Sequence, residues 1–179
     1  MVPLDPARIV ETGLRVLDDH GFDQLSLRRI ADELGVQTPA LYWHIRDREE
    51  LYGLMAEAML REALAAVDAA LIGRGFLVAL GRSLHNVHMR RRDAAKLIAL
   101  AKPTQASQGE LGEMILGKLA AGGIRRVAEA VTAVYSFTLG WSLFRTNPSV
   151  EAALARRMNV GDAFEVGLEA LAAGFDRQA

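Results

Sequence analysis

The 179 residues include no cysteine. Disulfides and thiolate metal sites are therefore excluded, and the composition fits an intracellular protein. An excess of one charge is missing as well. Lys and Arg number 21 against 22 Asp and Glu, a formal net charge of −1, so the chain as a whole is no polycation. No uninterrupted apolar run reaches ~18 residues, which predicts no membrane span. The opening MVPLDPARIVE has no apolar signal-peptide core, because Asp5, Arg8 and Glu11 interrupt it. A cytoplasmic protein is expected. Strand-like alternation, low-complexity segments and internal repeats are also missing. So are catalytic motifs. GRG at 73–75 lacks the rest of a phosphate loop, HExxH does not occur, and no serine sits in a nucleophile elbow. No enzymatic activity, cofactor or metal site is expected.

What the chain has is helix. Its apolar fraction of 51% is ample for a core. Asp5-Pro6 reads as a helix start, and Val10, Leu14 and Leu17 recur at helical spacing up to Gly21. Ser26 caps a second segment in which Leu27, Ile30, Ala31 and Leu34 follow i, i+3, i+4, i+7, ended by Gly35. Thr38-Pro39 reads as a cap and first turn for a third helix over 38–45. Asp47 with Glu50 forms a capping box for a long helix running to about Ile72, where Gly73-Arg74-Gly75 interrupts it. Further helices are predicted over 76–92, 93–101, 108–121, 124–145 and 151–158. A last one runs from a capping box at Asp162 and Glu165 to about Phe175. The expected class is all-α: a three-helix N-terminal domain over 1–47, joined by a long helix to a helical domain over 48–179.

Residues 37–48, QTPALYWHIRDR, organise the first domain. Leu41 and Ile45 share one helical face, which turns Tyr42 and Trp43 outward. Neighbouring exposed aromatics suggest a binding face. The very short Gly35-containing turn between the second and third helices makes a helix-turn-helix, whose second helix enters the major groove of DNA.

The run LGVQTPALYWHIRDREELY resembles the DNA-binding domain of the tetracycline-repressor (TetR) family. RDAAKLIALAKPT at 92–104 and SFTLG at 136–140 are similar to segments of the ligand-binding domain of its tetracycline-binding members. The resemblance implies a homodimeric, ligand-responsive regulator, in character a repressor, whose partners are double-stranded operator DNA and a small molecule. Arg28 matches the family's guanine-reading arginine, whose fork suits O6 and N7. Pro39 and Ala40 would touch thymine methyls. Tyr42, Trp43 and His44 match positions that contact phosphates and flanking bases. Arg48, at a helix start, would favour a phosphate. Gln37 offers an amide to adenine or lies in the turn and points away. Thr38 and Ala40 stand where tetracycline-binding members have glutamine and threonine, so a different operator is expected.

The same alignment puts the family's polar drug and metal contacts on Leu64, Leu80, Leu84 and Ile98, and on Lys102, Met114 and Phe144. Ile98 replaces the magnesium-anchoring histidine and has no lone pair for a hard cation. The expected effector is hydrophobic or weakly anionic, with Lys102 as the one positive group.

One observation opposes this reading. Residues 1–50 carry six arginines and no lysine against ten carboxylates, a balance of −4, where a DNA binder usually shows a basic footprint. Arg28, Arg29, Arg46 and Arg48 nevertheless cluster around the helix-turn-helix. The alternative is a helical ligand-binding or scaffolding bundle with a non-functional DNA head. Elsewhere, His85, His88 and Arg90–Arg92 read as a polar helix end. Tyr135, Phe137 and Trp141 read as core or dimer packing rather than a ligand cage.

Overall fold

The computed structural model describes residues 4–176, so the outermost three residues of each predicted domain lie outside the description. Every regular element among the described residues is helical. Asp5 caps α1 (Pro6–His20) by accepting the Arg8 amide at 2.8 Å. A single 3₁₀ turn, Phe22–Gln24, folds Phe22 and Leu25 back under it. Ser26 caps α2 (Leu27–Leu34), which Gly35 ends in the left-handed conformation at φ 68°.

The third helix is shorter than predicted. Regular α geometry holds only for α3 (Thr38–Leu41), with Gln37 rather than Thr38 at the cap position and no side-chain cap bond. The chain then coils on in a tightened turn. The Tyr42 amide donates to Pro39 and the amides of His44 and Ile45 both donate to the Leu41 carbonyl. Such tightening satisfies the last carbonyls of a one-turn helix.

Asp47 caps α4 (Arg48–Ala65) through the Glu50 amide at 2.8 Å, but Glu50 returns its carboxylate to the Arg46 amide at 2.6 Å, one residue earlier than a capping box requires. The helix stops at Ala65, not near Ile72. Asp68 accepts the Ala70 amide and offers the backbone a turn in place of helix. Gly73 does not interrupt a helix; it begins α5 (Gly73–Arg90) with φ 56°. A Cβ on Gly73 would lie 2.8 Å from Gly122 Cα, so the turns before α5 and after α8 meet backbone to backbone.

Asp93, itself left-handed at φ 53°, precedes α6 (Ala94–Leu100). The predicted 108–121 helix is two pieces, α7 (Gln105–Gln108) and α8 (Glu110–Ala121), broken at Gly109. Then follow α9 (Val127–Arg145), α10 (Pro148–Ala155) and α11 (Val160–Asp176). Asn147 caps α10. Asn159, rather than Asp162, caps the start of α11 by accepting the amides of Gly161 and Asp162.

α5 is the axis of the larger domain, packed by α4, α8, α9 and α11. The head (α1–α3) stacks α1 on α4, and one apolar core runs from Ile9 through Met55 and Leu84 to Ala172. By length and composition α9 could cross a membrane, because its charges, Glu129 and Arg145, lie near its ends. In this fold it is a wall of the bundle against α5, α6, α8 and α11. Its polar Thr132, Ser136, Thr138 and Ser142 keep it from being an uninterrupted apolar run.

Candidate nucleic-acid interface and effector cavity

Leu41 and Ile45 are 0% and 1% exposed, and Tyr42 and Trp43 are 55% and 88% exposed. The inward pair anchors the turn in the core, and the rings are thereby held outward. His44, Gln37 and Pro39 are exposed on the same segment, and Thr38 and Ala40 are half-buried. Arg28 is exposed on α2 beside Arg29, whose guanidinium donates to Gln24. Arg48 is exposed but engaged. Its Nε donates to the Tyr52 hydroxyl, its Nη2 reaches the Leu25 carbonyl at 3.3 Å, and its guanidinium lies 5.2 Å from the centre of the Tyr52 ring. It therefore ties α4 to the turn before α2 as well as facing solvent.

The structure accounts for the acidity of the head. Asp18 pairs with Arg91 at 2.7 Å, Asp23 with Lys96 at 2.7 Å, and Glu49 with Lys102. Arg92 donates to the Asp19 carbonyl, and Asp93 accepts the Phe22 amide at 2.9 Å. Two of the surplus carboxylates, Asp18 and Asp23, are thus neutralised by the α5–α6 corner and a third, Glu49, by Lys102, while Arg28 and Arg29 lie on α2 with Asp32 and Glu33. The Lys96 hydrogen bond holds Asp23 below the usual carboxylate range. Asp18 goes the other way, because burial outweighs the attraction of Arg91.

Arg90 and Arg92 are exposed at the helix end as expected, but Arg91 is half-buried in the contact with the head. Arg90 and Arg91 also pair with Glu62, at 3.1 and 3.0 Å. The histidines are likewise inside. Nδ1 of His85 and of His88 lie 3.1 and 3.2 Å from the Ser142 hydroxyl, which donates to the Thr138 carbonyl.

Behind α4 lies a cavity of about 440 Å³. Of the seven predicted ligand residues, Leu80, Leu84, Ile98 and Lys102 line it. Leu64 does not; it packs half-buried on the core one turn beyond Leu60, which takes its place on the wall. Met114 and Phe144 are exposed on the outside of α8 and α9, and the wall there is Ile115, Leu116 and Tyr135. A one-residue rotation of α8 separates Met114 from Ile115, finer than residue-type reasoning resolves. Tyr135, read as packing, faces the cavity. Phe137 and Trp141 do pack, Phe137 stacked on Phe164 at a ring distance of 5.5 Å and Trp141 tilted against it at 6.2 Å. Lys102 reaches the cavity with its stem; its ammonium is bound to Glu49. The ionisable group set between the apolar walls is Glu57, missed because it follows the solvent-facing pattern of α4.

A helix-turn-helix with outward rings, backed by a helical cavity, has counterparts among known proteins. Residues 9–55 match the family described as bacterial regulatory proteins, tetR family. The tetracycline repressor protein class G of Vibrio anguillarum is 29% identical over 201 residues, spanning 99% of this chain and 96% of that protein. A TetR variant from Acinetobacter baumannii AYE, solved in complex with minocycline, is 31% identical with a TM-score of 0.78 over 98% of each chain. BioQ, solved with its double-stranded DNA operator, is 27% identical with a TM-score of 0.72 over 98% of this chain and 100% of that one. The protein is a member of the tetR family of bacterial regulatory proteins.

Proposed function

We propose that this protein is a homodimeric transcriptional repressor, which binds operator DNA through α2 and α3 and is released by a small apolar molecule in the cavity behind α4. The observation that carries the reading is the Tyr42–Trp43 pair, held outward by the buried Leu41 and Ile45. Operator DNA and minocycline are what the solved relatives hold. Residues 1–47 are read as the DNA-binding domain and 48–179 as the ligand-binding and dimerisation domain. The cytoplasm is where such a regulator meets DNA.

Arg28 reads a guanine, and Pro39 and Ala40 meet thymine methyls. Tyr42, Trp43, His44 and Arg48 hold the backbone. Gln37 and Thr38 lie beside these contacts. The second subunit docks along α9 and α11. A Cβ on Gly140 or on Gly174 would meet nothing, so these glycines leave room for a partner helix rather than for the chain's own packing. Val166 is 68% exposed on the same side. Two heads then sit at a fixed separation, and a ligand that prefers a different separation releases both.

Binding to the protein's own upstream DNA, with Arg28→Ala and Tyr42→Ala, tests the reading. Arg28→Ala should cost about 1–3 kcal/mol and relax specificity at one base pair. Tyr42→Ala should weaken all sequences alike and reduce the salt dependence. If both variants bind as the wild type does, this reading is wrong.

A further inference from the structure

The cavity has a charge preference, and it is opposite to the one Lys102 predicts. Leu60, Leu77, Leu80, Leu84 and Ile98 make an apolar body site, with the hydroxyls of Ser107, Thr132 and Tyr135 as its neutral polar groups. At one end the cavity shares Gly53, Glu57, Lys102 and Pro103 with an open cleft of about 940 Å³. That cleft is the route from solvent. Asp47, Glu49, Glu50, Glu57 and Glu110 line it against Arg46 and Lys102. Both cations are spent: Arg46 lies 3.3 Å from Glu50, and Lys102 is bound to Glu49. Among the described residues no cation pairs with Asp47 or Glu110.

Glu57 stands at the junction with its side chain only 12% exposed. Arg61 approaches a single oxygen, Oε1, at 3.0 and 2.9 Å through Nε and Nη2. The other oxygen, Oε2, accepts only the Thr104 hydroxyl. A carboxylate oxygen has room for two donors, so Oε2, at the cleft end of the cavity beside Thr104, retains a lone pair, while the cation on this carboxylate, Arg61, sits on Oε1. The cleft and its junction carry five carboxylates against Arg46, Lys102 and Arg61, which leaves two of them, Asp47 and Glu110, unpaired, so an anionic head would meet net repulsion and no free positive group. A cationic head would be drawn along the same route and would gain a charge-assisted hydrogen bond where water is scarce.

We propose that the effector is an organic cation: an apolar body in the leucine-lined cavity and a protonated amine on Glu57 Oε2. This rests on the reading of the cavity as the effector site and specifies its ligand class.

Three probes of one shape, diphenylpropylamine, diphenylpropanol and diphenylpropionate, separate the possibilities by calorimetry on the full chain at fixed ionic strength. The amine should bind about tenfold tighter than the alcohol, the size of one charge-assisted hydrogen bond, with the carboxylate weakest. Glu57→Gln should bring the amine-to-alcohol ratio close to one, because the amine loses its charge-assisted partner and the alcohol loses at most a neutral one. Glu110→Gln, which disturbs no tether between α4 and Thr104, should lower the ratio about twofold through lost attraction alone. Carboxylate binding at or above the amine overturns the proposal, as does a ratio that survives both variants, or failure of all three probes to bind. Upstream-DNA binding is scored separately. Amine preference without DNA binding keeps the ligand class and removes the regulatory reading, and DNA binding with carboxylate preference does the reverse.

Discussion

At the scale of single residues, the Ser142 hydroxyl governs two histidines. It gives its only proton to the Thr138 carbonyl, so its lone pairs face the Nδ1 atoms of His85 and His88. The network assigns both rings the neutral form protonated at Nδ1. Burial, helped by the neighbouring His85, pushes His88 down to about 4 from its ordinary 6.5. Well above pH 6.5 both folded and unfolded chains hold this ring neutral, and it contributes no pH dependence. As pH falls from 6.5 towards 4, the unfolded chain takes up a proton that the folded one refuses, and stability drops by about 3 kcal/mol in all. His88→Asn keeps a donor near Nδ1 and cannot titrate. Urea unfolding from pH 7 to 5 should then lose most of one proton's slope, and an unchanged slope would refute the assignment. Gly53 offers a second residue-scale test. A Cβ there would lie 2.5 Å from the Lys102 carbonyl, a backbone atom that cannot swing aside. Gly53→Ala should push the 102–104 segment away from α4 and cost about 1–3 kcal/mol by overpacking, read as a lowered thermal midpoint.

At the scale of elements, the contact between the head and the α5–α6 corner is an ionic seam. Arg91 bridges Asp18 of α1 and Glu62 of α4, and Lys96 of α6 reaches Asp23. Arg91→Ala leaves the half-buried Asp18 without its cation. It should destabilise the protein by about 1 kcal/mol, well below the cost of breaking a fully buried pair, because water still reaches Asp18. Asp18→Ala combined with Arg91→Ala should cost less than the two single changes added, because the stranded charge is gone. Additive costs in a chemical-denaturation cycle would mean that the pair is not coupled. This seam also marks where sequence reasoning stopped. Asp5, Ser26 and Asp47 were legible as caps because a cap and its amide are three residues apart. The outward rings followed from the i, i+4 spacing of Leu41 and Ile45. The partners of the acidic head were not legible, since Asp18–Arg91 and Asp23–Lys96 each span 73 residues and no local spacing rule reaches that far. The same holds for Gly73 against Gly122, which looks like a helix breaker until its neighbour is known. Lys102 was placed in the cavity by alignment, but an alignment does not say which way a long, flexible side chain points. Its ammonium sits on Glu49, which takes the expected positive group away from the cavity.

At the scale of the whole molecule, the regulatory reading stands or falls with the second subunit. α9 has a cavity-facing side, with Val131 and Tyr135, and an opposite side on which Gly140 opens outward. α11 fixes its inner flank by Glu165 to Arg82 and Glu169 to Arg74, at 2.6 and 2.9 Å, and leaves Val166 exposed on the other. An apolar, small-residue face on two adjacent helices suits helix-to-helix docking, where close backbone approach gives dispersion contact along the whole length. A carboxylate at its centre would be buried without a partner in each subunit. Val166→Glu should therefore yield a monomer in sedimentation, with unchanged helicity and a cavity that still binds its ligand. Operator affinity should fall by about 10²–10⁴, since each head would dock alone and lose the effective concentration that the partner supplies. The slope of log affinity against log salt should fall to roughly half, because half the phosphate contacts remain. A variant that stays dimeric would move the interface elsewhere. A monomer with undiminished operator affinity would remove the link between subunit separation and DNA release.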